Sequence, residues 1–203
     1  MAAPKKARTV PRPATSTPDR IIAAAGQLID DVGIDNVNVA EIADYAGIHR
    51  VTVYRHFADR ESILEEVLLR RSRPVLDRAA ARLAKADRFP DDLAYVLVAA
   101  VDEARQIPGV LQAMALVQEG DSFKSPAMSD RFRAASQDVV RPYLLWAQEQ
   151  GKMRADLSVD ETVRWLTQVC YSWLYLAEDD SPAKLLEVCK TYVMPALVAN
   201  QGR

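Results

Sequence analysis

The chain has 203 residues and a formal net charge of −2; 49% of its residues are hydrophobic and 27% are charged. This length suits one large domain or a small domain joined to a medium one, and the composition is typical of a globular protein rather than a disordered chain. No run approaches 18 uncharged apolar residues, and no apolar stretch follows the basic N-terminus, so neither a membrane helix nor a secretory signal is expected and we predict a cytoplasmic protein.

The first 16 residues contain three prolines and four basic residues but no acidic one. This composition predicts a disordered basic arm. Such an arm is either a solvated tail or an additional contact to phosphates or to the minor groove of DNA.

Residues 17–75 are predicted to form a small helical domain. Thr17 is a plausible cap for a first helix, Pro18 suits its first turn, and Gly33 ends it. Two short helices follow, at about 39–46 and 49–55, and they are separated by a turn at Gly47. Helix, glycine-centred turn and second short helix form the layout of a helix-turn-helix, whose second helix enters the major groove of DNA.

A fourth helix is predicted to begin after a capping Asp59 and to end or kink at Pro74, because the proline ring collides with the preceding turn. Residues 76–203 are then predicted to form a second, all-helical domain. Its helices are expected at about 90–107, 109–119, 127–150, 160–178 and 182–199. The first of these is apolar on every side from Leu93 to Val101, which indicates a helix buried all round. The fold class is therefore all-α, with about nine helices.

The predicted helix at 49–55 combines apolar and hydrogen-bonding side chains. Ile48, Phe57 and either Val51 or Val53 are available as anchors. Arg50 lies in the first turn, where recognition helices reach bases, and arginine bonds guanine in bidentate fashion. Taken alone, this segment is equally compatible with a polar, solvated helix that buries one tyrosine.

The wider pattern from Gly33 to Leu64 resembles the DNA-binding signature of the TetR (tetracycline-repressor) family of transcriptional regulators. The elements that carry the resemblance are Gly33, Val37-Asn38-Val39, Ile42-Ala43, Ala46-Gly47, Tyr54-Arg55-His56-Phe57 and Arg60-Glu61-x-x-Leu64. With the first helix, the similarity covers about residues 17–66.

The resemblance implies roles on DNA for eight residues, and His49 beside them is a ninth DNA-binding candidate. Phosphate contacts fall on Asn38, Thr52, Tyr54, His56 and Arg60, and base contacts fall on Arg50 and Val51, with Arg55 as an additional candidate. His49 stands where a serine cap is common and is expected to be a weaker cap of the helix at 49–55. Asn38 replaces a threonine but can still cap the helix at 39–46, and Val51 replaces a small residue. These departures affect the operator sequence rather than the fold.

For residues 76–203 the resemblance implies an effector-binding and dimerisation domain, without transferring any ligand residue. The helix at 160–178 has two apolar faces, and one of them can pack on its own core while the other is left for a partner. The first face is Val163, Leu166, Cys170, Trp173, Leu174 and Ala177; the second is Trp165, Val169, Ser172 and Leu176. We therefore expect a homodimer formed through the last two helices; the alternative is that both faces belong to the core. Candidate ligand residues are aromatic, thioether and amide side chains: Tyr95, Gln112, Met114, Phe132, Tyr143, Trp146, Trp165 and Gln168.

No catalytic or metal-binding motif is present, so the sequence predicts neither an enzyme nor a cofactor or metal site. Cys170 and Cys189 are expected to be buried free thiols. The predicted function is a ligand-responsive regulator, most simply a repressor that a small apolar or amphipathic effector releases from a palindromic operator. The alternatives are a similar regulator without a small-molecule effector, switched by a protein or acting as a global DNA binder.

Overall fold

The computed structural model describes residues 16–115, 129–177 and 179–199. Within these ranges the chain forms nine α-helices, and the only β-type pairing there is an isolated bridge between Met153 and Val198. The all-α prediction is confirmed. The chain divides into two compact units, Met1–Val67 and Leu68–Arg203, which are described separately below. The predicted basic arm at residues 1–16 lies almost wholly outside the described residues.

The first unit contains α1 (Thr17–Val32), a 3-10 turn (Ile34–Asn36), α2 (Val39–Ala46), α3 (Arg50–Tyr54) and the start of α4 (Arg60–Leu83). Its core is built from the apolar stripes of these helices, with Ile21, Ile34 and Ile42 completely buried. The cap of α1 was predicted one residue too late: the Ser16 hydroxyl accepts the Asp19 N–H at 3.3 Å, which leaves Thr17 as the first helical residue.

Helix α4 does not end at Pro74, as the sequence allowed, but continues to Leu83. Pro74 is exposed, whereas Val75, Ala79 and Leu83 continue the buried stripe beyond it. Burial of these three side chains stabilises the continued helix by more than the proline costs through its missing N–H donor. The start of α4 is as predicted: the Asp59 carboxylate accepts the Ser62 N–H at 2.8 Å.

The second unit contains the rest of α4 together with α5 (Asp91–Arg105), α6 (Val110–Ala115), α7 (Asp130–Glu149), α8 (Val159–Leu176) and α9 (Pro182–Val188). Helix α5 is central, since it packs against α6, α8 and α9. Its predicted burial on every side is wrong at Tyr95, which is 62% exposed. The predicted helix end at residues 116–119 lies outside the described residues.

The last predicted helix, 182–199, is not a single regular helix. After α9 the backbone widens into a π turn at Cys189–Val193 and then tightens into a 3-10 turn at Met194–Ala196. Pro195 lacks the N–H that an α-helix needs, which explains the change at this point. Cys189, Met194 and Leu197 still face the core. Within the described part of the chain, no helix combines the length and apolarity needed to cross a membrane.

Candidate DNA-binding surface and ligand cavity

The turn between α2 and α3 is held by capping at both ends of α2. The Asn38 side chain accepts the Glu41 N–H at 3.0 Å, as predicted, and starts the helix. At the other end Gly47 adopts the left-handed conformation (φ 64°, ψ 41°), and the next amide, Ile48 N–H, donates to the Ala43 carbonyl at 3.0 Å. The direction of α3 is therefore set by a backbone conformation that glycine adopts without strain.

Arg20 on α1 also holds this turn, a role that the sequence interpretation missed. Its Nη2 donates to the carbonyl oxygen of Ala46 and, at 3.4 Å, to that of Gly47. These carbonyls lie at the end of α2, where the helix leaves acceptors without intrahelical partners and where a cation is favoured. The available signal was a basic residue beside the apolar stripe of α1, which by itself does not indicate a partner 26 residues away.

We predict that Gly47→Ala lowers the free energy of unfolding by about 1–2 kcal/mol, because a Cβ is disfavoured at positive φ. A Cβ built at Gly47 lies 3.5 Å from Arg20 Nη2, an ordinary contact, so the cost should come from the backbone and not from a clash. Gly47→Asn is the matched control and should cost less, since asparagine tolerates this conformation. Urea unfolding followed by far-ultraviolet circular dichroism would measure both; equal losses would contradict the conformational explanation.

Helix α3 is anchored by one buried side chain and exposes the rest. Val53 is fully buried, while Ile48 and Phe57 are partly buried beside it. Val51 is 73% exposed, so the choice left open between Val51 and Val53 as the anchor is resolved for Val53. His49 stands at the N-cap without a side-chain capping bond, in line with the weaker cap expected there.

All nine predicted DNA residues are at least partly open to solvent, and eight of them lie on α3 or next to it with side chains that do not bridge the domain. Of these eight, Thr52 is partly buried; the others are exposed, namely Asn38, His49, Arg50, Val51, Tyr54, Arg55 and His56. The guanidinium groups of Arg50 and Arg55 make no hydrogen bond or ion pair with any described residue. The surface therefore presents cationic, hydroxyl and apolar groups together, and none of its arginines is neutralised within the described structure.

Arg60, the ninth residue, is turned toward the protein instead. Its Nε donates to the Val37 carbonyl and its Nη2 to the Ile34 carbonyl, both at 2.5 Å, and Nη2 also approaches the Asp35 carbonyl at 3.3 Å. Nη1 forms a looser ion pair with Glu61 at 3.5 Å. The planar guanidinium thus joins the start of α4 to the segment that precedes α2. Sequence reasoning located this residue but not its partners.

The second unit encloses an apolar cavity of about 110 Å³. Its walls come from α4, α5, α7 and α8, together with Ile107 and Val110 near the start of α6. The α4 contribution is one helical face, Ser72, Val75, Leu76 and Ala79. Among the described residues, no Asp, Glu, Lys, Arg or His lines this space.

The predicted ligand residues are mostly elsewhere. Phe132 lines the cavity; Tyr143 is buried and stacked on Trp146 at 5.2 Å, outside the wall. Tyr95, Gln112, Trp165 and Gln168 are exposed, and the side chain of Met114 lies outside the described residues. The described lining of the cavity is mainly aliphatic, whereas the predicted ligand residues were chosen mainly for aromatic character.

Two buried hydroxyls in the wall, those of Ser72 and Tyr171, have no hydrogen-bond partner among the described residues. Ser72 interrupts an apolar stripe of α4 (Leu68, Val75, Ala79), a signal visible in the sequence but not used. Burial raises the pKa of the Cys170 thiol, also in the wall, to about 12, so it stays protonated at neutral pH. In the part of the chain that the structure describes, no group of three or more His, Cys, Asp or Glu side chains is arranged to hold a metal.

The first unit carries the sequence similarity to a known protein family. Residues 21–67 match the family model described as bacterial regulatory proteins, tetR family. Over these residues, the chain is similar to the DNA-binding domain of the TetR family. An uncharacterized HTH-type transcriptional regulator of Mycobacterium tuberculosis, Rv2250c, is 46% identical over 52 residues, and the HTH-type transcriptional repressor BdcR of Escherichia coli is 35% identical over 68 residues.

These similarities to TetR-type regulators are confined to part of each protein. The match covers 26% of this chain and 28% of the M. tuberculosis regulator, and 34% of both this chain and BdcR. Over nearly the whole chain the likeness is one of TetR fold. Thermus thermophilus FadR, solved in complex with lauroyl-CoA, aligns with a TM-score of 0.72 at 18% identity and covers 91% of this chain and 97% of its own. RolR in complex with resorcinol aligns with a TM-score of 0.70 at 21% identity over 91% of this chain and 88% of its own.

Proposed function

We propose that this protein is a TetR-type transcriptional regulator, cytoplasmic, homodimeric and non-enzymatic, that binds a near-palindromic operator through α3. The observation that carries the proposal is the exposed side of α3, anchored by Val53 and carrying unneutralised arginines, within a domain of the TetR type. Two such helices, one from each protomer, would enter successive major grooves about 34–36 Å apart.

The contacts divide into base reading and positioning. Arg50 and the neighbouring Val51 lie in the first turn of α3. Arginine can bond the edge of a guanine, and an apolar side chain such as valine can contact the methyl group of a thymine. Arg55 is an additional candidate for a base contact, and Asn38, His49, Thr52, Tyr54 and His56 supply donors suited to phosphates. Arg60 would act on DNA indirectly, since its donors are used to hold the domain together.

For the dimer, the exposed side of α8 supports an interface through the last two helices. Trp165, Gln168, Ser172 and Leu176 lie three or four residues apart on this side, and Leu176 is 76% exposed. Tyr192, in the π turn after α9, is 75% exposed. An interface with two-fold symmetry at α8 would bury the apolar side chains of Trp165, Leu176 and Tyr192 between the two protomers.

For the effector, the cavity in the second unit supports a small molecule as the switch. Structural neighbours of the same fold were solved with lauroyl-CoA and with resorcinol, which makes ligand binding in the helical domain a reasonable expectation here. Helix α4 lines the cavity at Ser72–Ala79 and begins at Arg60, so it is the natural lever. A ligand that prefers the state with the wrong separation of the two α3 helices would lower operator affinity by that preference.

The decisive experiment selects bound sites from genomic DNA of the source organism and measures affinity for the selected duplex by fluorescence anisotropy. A regulator prefers its site by a factor of about 10³ or more over mixed-sequence DNA. Near-equal affinity for both, with the same dependence on salt, would indicate the alternative of a global DNA binder. A defined operator whose affinity no small molecule changes would indicate a regulator without such an effector.

We predict that Arg50→Ala weakens operator binding by about 1–3 kcal/mol, roughly 5- to 150-fold, and relaxes preference at one base pair. The reason is loss of a bidentate contact to a base edge. Arg73→Ala, which removes an exposed arginine of the second unit, is the charge-matched control and should change affinity little. Equal weakening on every duplex tested would assign Arg50 to phosphate instead.

A further inference from the structure

The size of the cavity in the second unit restricts what it can hold. Its volume of about 110 Å³ is below that of an engineered apolar cavity of about 150 Å³ that binds benzene. A ligand on the scale of one ring or a short branched chain fits this space. A long acyl chain does not fit it without a rearrangement of the helices around it.

The described walls of the cavity offer no charged group to pair with a charged ligand. They are formed by aliphatic side chains such as Leu97, Val101 and Leu166, with no ionisable carboxylate, ammonium, guanidinium or imidazole among the described lining residues. Arg133 is close enough to act on the pKa of Tyr171, but it is not part of the wall and its guanidinium pairs with Asp130. An anion placed here would lose its hydration without gaining a counter-charge.

The hydroxyls of Ser72 and Tyr171 favour a ligand that carries a hydrogen-bonding group. Ser72 is 4% exposed and Tyr171 is 9% exposed, and neither hydroxyl forms a hydrogen bond within the part of the chain that the structure describes. They lie on different helices, α4 and α8, that both face the cavity. Burial raises the pKa of Tyr171, so its phenol keeps its proton at neutral pH and is available as a donor.

The other polar side chains of the wall are already used. Thr167 donates to the Val163 carbonyl at 2.8 Å, and Ser136 donates to the Phe132 carbonyl at 3.0 Å. Ser136 neighbours Tyr171, but no hydrogen bond of normal geometry joins the two hydroxyls. The hydrogen-bonding capacity that remains for a ligand is therefore concentrated at Ser72 and Tyr171.

From these contacts we propose that the cavity takes a compact, uncharged organic molecule with a single polar oxygen function, such as a phenol, a ketone or a lactone, bound through the hydroxyls of Ser72 and Tyr171. This rests on the proposed function only in so far as it identifies the cavity with the effector site. It narrows the effector class and excludes acyl-CoA thioesters and carboxylate anions.

Three probes of similar size separate the possibilities: phenol, toluene and benzoate. Isothermal titration calorimetry on the full chain at neutral pH should show phenol binding about three- to tenfold more tightly than toluene, tenfold being about 1.4 kcal/mol. Benzoate should give no binding. Toluene binding as tightly as phenol, benzoate binding as well as phenol, or the absence of binding by all three would overturn the proposal.

The role of the two hydroxyls is tested in variants by the toluene Kd divided by the phenol Kd. A general change in packing affects both dissociation constants and leaves this ratio unaltered. Ser72→Ala and Tyr171→Phe should each reduce this ratio, and the double variant should bring it to about one. Thr167→Val is the matched control, because its hydroxyl is already bonded within α8, and it should keep the wild-type ratio. An unchanged ratio in the double variant would overturn the assignment to Ser72 and Tyr171.

The same samples separate this inference from the proposed function. Selective phenol binding that leaves affinity for the selected operator unchanged would retain the ligand class and remove the effector role. Release of the operator by an anionic compound that competes with phenol would have the opposite meaning. It would contradict the proposed ligand class and support the proposed ligand-responsive regulator.

Discussion

Replacing Arg60 by methionine should lower the stability of the first unit by about 2–4 kcal/mol, because three main-chain carbonyls lose a charged donor. Ile34 and Val37 are buried, so water does not readily replace the guanidinium at their carbonyls. Arg60→Lys should recover only part of the loss, since an ammonium group cannot form the same fork. Hydrogen exchange of the amides in α1–α3 measures this stability without interference from the second unit.

Arg55→Ala is the matched control for Arg60. Arg55 is exposed and makes no side-chain hydrogen bond with the described residues. Its loss should therefore change the free energy of opening, as measured by amide exchange, by less than about 0.5 kcal/mol. Operator affinity should fall in both variants, through lost contacts for Arg55 and through a destabilised domain for Arg60. If Arg60→Met lost affinity with unchanged amide exchange, a direct phosphate contact would be the better explanation.

Leu176→Asp should convert the proposed dimer to monomers, raising its dissociation constant at least about 100-fold. A carboxylate on the two-fold axis of an apolar helix face would be desolvated opposite its own copy, which is unfavourable in both burial and charge. Analytical ultracentrifugation over a range of protein concentrations measures the change. Operator affinity should fall in parallel, because a monomer binds only one half-site.

Tyr95→Asp is the control for this substitution. Tyr95 is also large, apolar and exposed, at 62%, but it lies on α5 and not on the α8 face. It should leave the dissociation constant of the dimer unchanged. Equal effects of the two variants, or a wild-type protein that sediments as a monomer, would contradict an interface through α8.

The sequence was most informative where local chemistry determines structure. Asn38, Gly47 and Asp59 act within three or four residues of their own positions, and their capping and turn roles are as predicted. The burial of Val53 and the exposure of Val51 could not be distinguished in this way. Both are apolar, and only the direction of α3 against the rest of the unit separates them.

Contacts between residues far apart in the sequence were the main features that could not be predicted. Arg20 and Arg60 act on carbonyls 23–27 residues away, and no pattern within either helix indicates these partners. Pro74 was expected to interrupt α4, but the apolar stripe that continues to Leu83 keeps the helix intact. The ligand residues were chosen for aromatic character, whereas the cavity is bordered mainly by aliphatic groups and two hydroxyls.

The two inward-facing arginines of the first unit also bear on how this protein can change over evolutionary time. Arg20 and Arg60 hold the scaffold, whereas the side chains of Arg50, Val51, Tyr54 and Arg55 contribute no hydrogen bonds to it. If α3 reads DNA as proposed, mutations on its outer side would alter the sequence that is read at little cost in folding. A lineage could then acquire a new target site through single substitutions there, whereas changes at Arg20 and Arg60 would destabilise the domain that carries α3.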